Sequence, residues 1–262
     1  MNHYLRIISL VLLGVDVSRG QDTTGMAMPV SFHVLGITIG VNQVKEENLL
    51  PRVHTGFITS LSYGYRRIGE RYQDFRFALG FSRILATPED VTKSANATIT
   101  STYSYCFQAI DGPSITYYVG PEAKIAYSIF LYPNWDDSHL YWGNSFSLGI
   151  SNVVFYSFPN DTRLFSTFSI SLLSLYSRPE TLRLYKIDDI SFGGVVSNVH
   201  KDLTLGFVTT AFSLHWDIEY QFPVFQTKTE ALFYSIDYTH IAEGNALPFS
   251  QLFHQLGLRL FL

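Results

Sequence analysis

The sequence predicts an all-β chain: a single antiparallel up-and-down transmembrane β-barrel of about ten strands, with eight or twelve as the alternatives. Three observations point there. Aromatic residues make up 16% of the 262 positions and charged residues only 15%, against about 25% charged in an ordinary globular domain. No stretch approaches the roughly 18 apolar residues that a membrane helix needs. Apolar and polar residues instead alternate over segments of about ten residues or more, separated by turn residues, as strands do when one face meets lipid and the other a polar interior.

The alternation begins at Pro29. The first strand, 29–42, places Leu35, Ile37, Ile39 and Val41 outward. The second, 53–66, turns Phe57, Leu61, Tyr63 and Tyr65 outward and His54, Ser60 and Arg66 inward. In the third, 73–84, Phe75, Phe77, Leu79 and Phe81 oppose Asp74, Arg76 and Ser82. In the fourth, 98–109, Tyr103, Tyr105 and Phe107 oppose Thr102, Ser104 and Cys106. The fifth, 115–130, has Val119, Ile125, Tyr127 and Ile129 outward over Glu122, Lys124 and Ser128.

The sixth strand, 143–156, sets Phe146, Leu148, Ile150 and Val154 against Ser145, Ser147 and Ser151. The seventh, 163–177, sets Phe168, Ile170, Leu172 and Tyr176 outward over Thr167, Ser169 and Ser171. The eighth, 203–222, has Phe212, Leu214, Trp216, Ile218 and Tyr220 outward and Ser213, His215, Asp217, Glu219 and Gln221 inward. The ninth, 229–240, sets Leu232, Tyr234, Ile236 and Tyr238 against Ser235 and Asp237. The tenth, 250–262, ends on outward Leu256, Leu258, Leu260 and Leu262 with Gln255, Gly257 and Arg259 inward. Every second connection is short (68–72, 110–114, 157–162 and 223–228). The others, 43–52, 85–97, 131–142, 178–202 and 241–249, are longer, the rhythm of a membrane barrel with both termini on the short-turn side. Segment 190–200 reads as an extra strand or hairpin in the twelve-strand alternative.

The first twenty residues read as a secretory leader. Arg6 precedes an apolar run from Ile7 to Val15, and Ser18-Arg19-Gly20 supplies small residues for cleavage after Gly20. This leaves residues 21–262 as one barrel domain. Cys106 is the only cysteine, so neither lipoprotein processing nor a disulfide within one chain is expected. A net charge of −4 with 18 Lys and Arg shows no basic stripe, which argues against a nucleic-acid partner.

Eight strands are just filled by their own side chains, whereas a water-filled porin has about sixteen. Ten leave a narrow lumen. Inward parity puts His54, Arg66, Arg76, Glu122, Lys124, His215, Asp217, Glu219, Asp237 and Arg259 into it. Buried charges must be paired. The expectation is a network of Arg76, Glu122, Lys124, His215, Asp217, Glu219, Asp237 and Arg259 that closes the lumen, with a structural role. A gated path for a small solute requires the same inward polarity and stands as the alternative.

The last eight residues, Gln255-Leu256-Gly257-Leu258-Arg259-Leu260-Phe261-Leu262, resemble the terminal strand signal of bacterial outer-membrane β-barrel proteins. Gln255, Gly257, Leu260 and Leu262 carry the pattern. The resemblance implies an outer-membrane location, periplasmic termini, outer-membrane lipids as surroundings and the barrel-assembly machinery as a partner during biogenesis. The aromatic-rich strands, Gln21 and terminal Leu resemble the small barrels of Bacteroidetes.

That resemblance also raises catalysis, since some such barrels are enzymes. Phospholipase and lipid A deacylase barrels use a Ser two residues from a His, and none of the eight histidines is followed by Ser at that spacing. Omptin proteases use aspartates and an Asp-x-His pair in external loops. Here Asp137-Ser138-His139 has that spacing, and Asp188, Asp189 and His200 lie in the long fourth loop. The pair sits in a different loop from the family's and the second aspartate pair has no counterpart, so Asp137 and His139 are weak catalytic candidates and the balance is against an enzyme. With no zinc-type His/Cys arrangement and no phosphate-binding Gly loop, neither metal nor cofactor is expected. Outward Thr55, Thr59, Asn152 and Ser174 are polar for a lipid face. Together with loop-four residues Arg178, Pro179, Glu180, Arg183, Tyr185 and Lys186, they offer a contact to a larger envelope complex.

Overall fold

The structure, a computed structural model, describes residues 30–46, 50–85, 94–131, 140–160, 162–178, 191–200, 203–224, 228–242 and 248–262. The expected leader, 1–20, and the pair Asp137 and His139 lie outside them, as do Asp188 and Asp189. The elements are β1 (Val30–Glu46), β2 (Leu50–Ile68), β3 (Arg71–Leu85), β4 (Ser94–Asp111), β5 (Ile115–Leu131), β6 (Leu140–Ser157), β7 (Arg163–Ser177), α1 (Phe192–Val199), β8 (Thr204–Phe207), β9 (Ala211–Val224), β10 (Lys228–Ile241) and β11 (Phe249–Phe261).

Each strand pairs antiparallel with its neighbour in sequence, except that β8 and β9 both pair with β7, and β1 pairs with β11 through Val34↔Phe261 to Glu46↔Phe249, closing the ring. His33 and Leu262 seal the seam with two backbone bonds of 3.0 and 2.8 Å. The barrel has ten staves. β8 and β9 together make the eighth, interrupted at Val208–Thr210, where Thr210 N–H donates to Phe207 O at 2.8 Å. β7 pairs with β9 up to Ile170↔Leu214 and with β8 from Leu173↔Phe207. Ser171 Oγ bridges the gap, accepting from Ser213 N–H at 2.7 Å. The chain ends of the ring, Val30 and Leu262, share one rim with the short turns; the other rim carries the longer connections.

Outward parity agrees with exposure along most staves. Phe57 is 82% exposed, Ile39 64%, Phe81 63% and Leu61 61%. Large apolar side chains in such numbers exceed what a soluble monomer shows in any one patch, and around a closed barrel they form the band that faces lipid. Among the described residues no helix is long and apolar enough to cross a membrane. The strands form the crossing.

Three expectations need correction. The seventh stave carries a bulge: Leu148 pairs with Leu173 but Gly149 with Ser171, so Leu172 is the additional residue. An extra residue reverses the side-chain alternation beyond it. Tyr176 and Ser174, expected outward, therefore face the interior, 2% and 4% exposed, and Ser174 Oγ lies 2.8 Å from Ser147 Oγ. The described part of segment 190–200, residues 191–200, is not a strand: the closed ring leaves no edge to pair with, and 192–199 is α1, whose first turn is capped by Ser191 Oγ accepting from Gly194 N–H at 3.1 Å. The first long connection, 43–52, is mostly strand, since β1 runs to Glu46 and β2 starts at Leu50. Ladder hydrogen bonds continue past the lipid band, where outward residues such as Gln43 and Lys45 turn polar and the apolar alternation fades.

Candidate functional site: the barrel interior

Inward-facing residues fill the lumen in layers. Nearest the terminus-bearing rim is an aromatic floor of Tyr72, Cys106, Tyr118, Val153, Phe155 and Phe165, all buried. Phe155 and Phe165 meet edge-on at 4.5 Å between ring centres. Beside it Val34, Ala231 and Phe261 form a second apolar group.

Above the floor lies a layer of charges from four staves. Arg66 on β2 donates from Nε to Asp74 on β3 at 3.1 Å and from Nη1 to Glu219 on β9 at 3.0 Å. Arg76 on β3 reaches Asp217 on β9 at 3.0 Å and Asp74 at 3.3 Å. Arg259 on β11 donates to both Asp217 and Glu219. Asp217 and Glu219 are 0% exposed and each receives two guanidinium groups. Gln221 Nε2 adds a bond to Glu219. The arginines also lie over aromatic faces, Arg66 4.3 Å from the centre of Phe165 and Arg259 3.7 Å from that of Phe233, so the floor and the charged layer are in contact. Desolvated charges persist because each carboxylate is met by several donors.

A second, smaller group sits nearer the loop rim. Asp237 on β10 accepts from Lys124 Nζ at 3.2 Å and lies 2.9 Å from His215 Nδ1. His215 Nε2 is 4.0 Å from Asp217, the thin link between the two groups. A cavity of about 110 Å³ opens between them, bordered by Lys124, His215, Asp237, Arg76 and Arg259 among small Ser and Thr side chains. Next comes a polar layer, in which Asn42 Nδ2 donates to Asn96 at 3.1 Å, Gln251 Nε2 to Asn42 at 3.3 Å, and Ser128 Oγ to Gln251 at 3.1 Å. An apolar lid of Val44, Phe130, Tyr141, Tyr176, Ala211, Ile241 and Phe249 closes the stack at the loop rim.

Of the eight charged residues expected to form one network, Arg76, Asp217, Glu219 and Arg259 meet directly, and Lys124, His215 and Asp237 form the separate group. Glu122 joins neither; its carboxylate accepts from Ser104 Oγ at 2.9 Å. Arg66 and Asp74, inward by parity but outside that set, are full members of the main layer. The floor, the polar layer and the lid were missed. Part of their signal was the same alternation carried one or two residues further, to Tyr72, Val44 and Phe249, whereas Phe165 stood within the expected seventh strand at inward parity.

The outer-face candidates separate. Thr55 and Thr59 are exposed, whereas Asn152 accepts a 2.6 Å bond from Tyr117 Oη on the same face. Asn144 and Trp142 have outward parity yet are 1% and 2% exposed. The end of α1 lies against this wall: Asn144 Nδ2 donates to Val199 O at 2.6 Å, and His200 Nε2 is 2.9 Å from Tyr127 Oη. His200 is thereby a structural tie. Among the described residues no group of three or more His, Cys, Asp or Glu could hold a metal.

The ring closure, the layered interior and the apolar outer band define a transmembrane β-barrel of the outer-membrane type. Neither a protein-family model nor a curated protein sequence matches the chain. It is similar in structure to the translocator domain of the autotransporter NalP from Neisseria meningitidis, with TM-score 0.42, 9% identity, and coverage of 98% of this chain and 95% of that one. It is similar also to the outer-membrane protease OmpT from Escherichia coli (TM-score 0.45, 8% identity, 92% and 99% covered) and to Neisserial surface protein A (TM-score 0.35, 13% identity, 88% and 97% covered). At such identities no residue role transfers from them.

Proposed function

We propose that this chain is a non-enzymatic outer-membrane barrel with a closed lumen, acting as a structural or accessory component of the envelope. Its termini are periplasmic, residues 1–20 are its removable leader, and Gln255, Gly257, Leu260 and Leu262 are read by the assembly machinery. The observation that supports this most is the charged layer. Three arginines from β2, β3 and β11 converge on Asp74, Asp217 and Glu219, and two of those carboxylates have no exposed surface. A pore-lining charge is useful when hydrated, whereas these are spent on one another.

The test is single-channel recording of the purified, folded protein in planar bilayers. Absence of steady conductance is expected. Large, steady openings from the unmodified protein would overturn the reading and favour a narrow solute path, for which the 110 Å³ cavity between the two charged groups is the supporting feature.

A further inference from the structure

We infer that the outer wall binds one glycerophospholipid at a defined place, its chains in a groove across β11, β1, β2 and β3 and its phosphate between Arg67 and His33. The groove has a volume of about 640 Å³ and is lined mainly by Leu35, Ile37, Leu61, Tyr63, Leu79 and Leu258. That lies within the roughly 300–1,000 Å³ typical of small-molecule sites, and a lipid-facing wall supplies apolar chains as the occupant.

What sets this stretch of wall apart is the rim beneath it. Register places Ser31 opposite Arg67 and His33 opposite Tyr65, so His33 and Arg67 are diagonal neighbours on the outward face, with Cβ atoms about 7–8 Å apart. Both are exposed, and neither makes an ion pair among the described residues. Tyr63, which lines the groove, has its Oη 2.8 Å from His33 Nδ1. When that hydroxyl donates to Nδ1, the ring proton sits on Nε2 and points a donor away from the wall. Arg67 and His33 then present N–H donors to an anion where the groove ends, and a guanidinium is the side chain best shaped for phosphate. Arg71, two residues beyond Gln73 on β3, is already engaged with Tyr105 Oη and its ring, so it adds positive potential without being free to turn. Glu230 borders the groove on β10, three strand spacings or about 14 Å from the β2 column, too far to neutralise Arg67. The described outward positions of β5, β6, β7 and β9 carry no charged side chain, so that side of the wall offers no competing cation; Arg83 on β3 is outward and exposed but lies opposite Phe57, at the other rim.

The inference does not depend on whether the lumen conducts. It is tested by native mass spectrometry of the folded barrel released from detergent, after addition of dioleoyl phosphatidylethanolamine or of dioleoylglycerol, which has the same chains without the phosphate. Wild type should retain one phospholipid at collision energies that strip the diacylglycerol. Arg67→Gln should lower the retained fraction about tenfold, the value of a charge-assisted hydrogen bond, and Ile37→Trp, which fills the groove from the lipid side, should abolish it. Heat-modifiable mobility of each variant reports folding separately. Equal retention of the diacylglycerol, or an Arg67→Gln adduct as abundant as wild type, would overturn the assignment.

Discussion

Arg259 reaches Asp217 by passing over a ring: its guanidinium carbon stands 3.7 Å from the centre of Phe233, and Nη2 lies 2.5 Å from the carboxylate beyond. β10 separates the two strands, so the arginine spans a whole stave. Gly257 makes this possible. A Cβ there would stand 2.7 Å from the Phe233 ring and 2.4 Å from the carbonyl oxygen of Ile37. One glycine in the last strand thus clears space for the ring on which the lumen's charged layer rests.

Gly257→Ala should therefore cost folding yield and stability, because the clash with Ile37 involves backbone on the seam strand and cannot be relieved by a rotamer change. Gly193→Ala is the control: its Cβ would meet nothing within 4 Å, and alanine in a helix is favoured by up to about 1 kcal/mol. Urea titration of the two variants in lipid vesicles should separate them, with only the first midpoint falling. Equal midpoints would discount the packing role of Gly257.

Glu219→Gln should destabilise the barrel by about 3–5 kcal/mol, the range for breaking a buried ion pair, since Arg66 and Arg259 each lose one of their two carboxylate partners and the layer keeps three guanidinium groups against two carboxylates. Glu122→Gln, which disturbs one bond to Ser104, should cost no more than about 1 kcal/mol. Paired unfolding curves decide this, and similar losses at the two positions would deny the layer its structural weight.

The bulge at Leu172 predicts which neighbours touch lipid. In a chain whose three native tryptophans are replaced by Phe, Leu175→Trp should be quenched by brominated acyl chains and Tyr176→Trp should not. Quenching at 176 would restore the unbroken alternation.

Deleting Leu260–Leu262 removes the pairings Leu260↔Leu35 and Phe261↔Val34 and both bonds between His33 and Leu262. Heat-modifiable folded protein in the outer membrane should fall sharply. An unchanged yield would separate ring closure from this strand end and remove the proposed assembly signal.

Period-two alternation was enough to place the staves, their number and the inward charges, because a barrel wall has one lipid face and register follows from it. It was less informative where two environments look alike in composition. Tyr72 and Phe165 could belong to an aromatic girdle or an aromatic floor, and only the parity of Asp74 and Thr167 beside them tells which. The adjacent pair Leu172-Leu173 was the one written trace of the bulge, and either reading of it leaves a Leu facing lipid. Pairing among charges was the least legible part: β9 supplies Asp217 and Glu219, but nothing local to β9 says that their partners come from β2, β3 and β11. Nor did Phe-Gly-Gly-Val-Val have the length for a helical period to register.

The stacked interior has a thermodynamic consequence. A solute crossing the barrel would meet two barriers that differ in how they answer to the medium. Raising ionic strength with a salting-out salt screens the buried charges of Arg66, Asp217, Glu219 and Arg259 little but tightens the packing of Val44, Phe130, Tyr176 and Phe249. Chaotropic conditions loosen that hydrophobic gate while leaving the guanidinium–carboxylate lock in a medium no more polar than before. The two layers are in series and respond differently, so under the proposed closed-lumen reading a change of medium that loosens the apolar layer leaves the buried ion pairs in place.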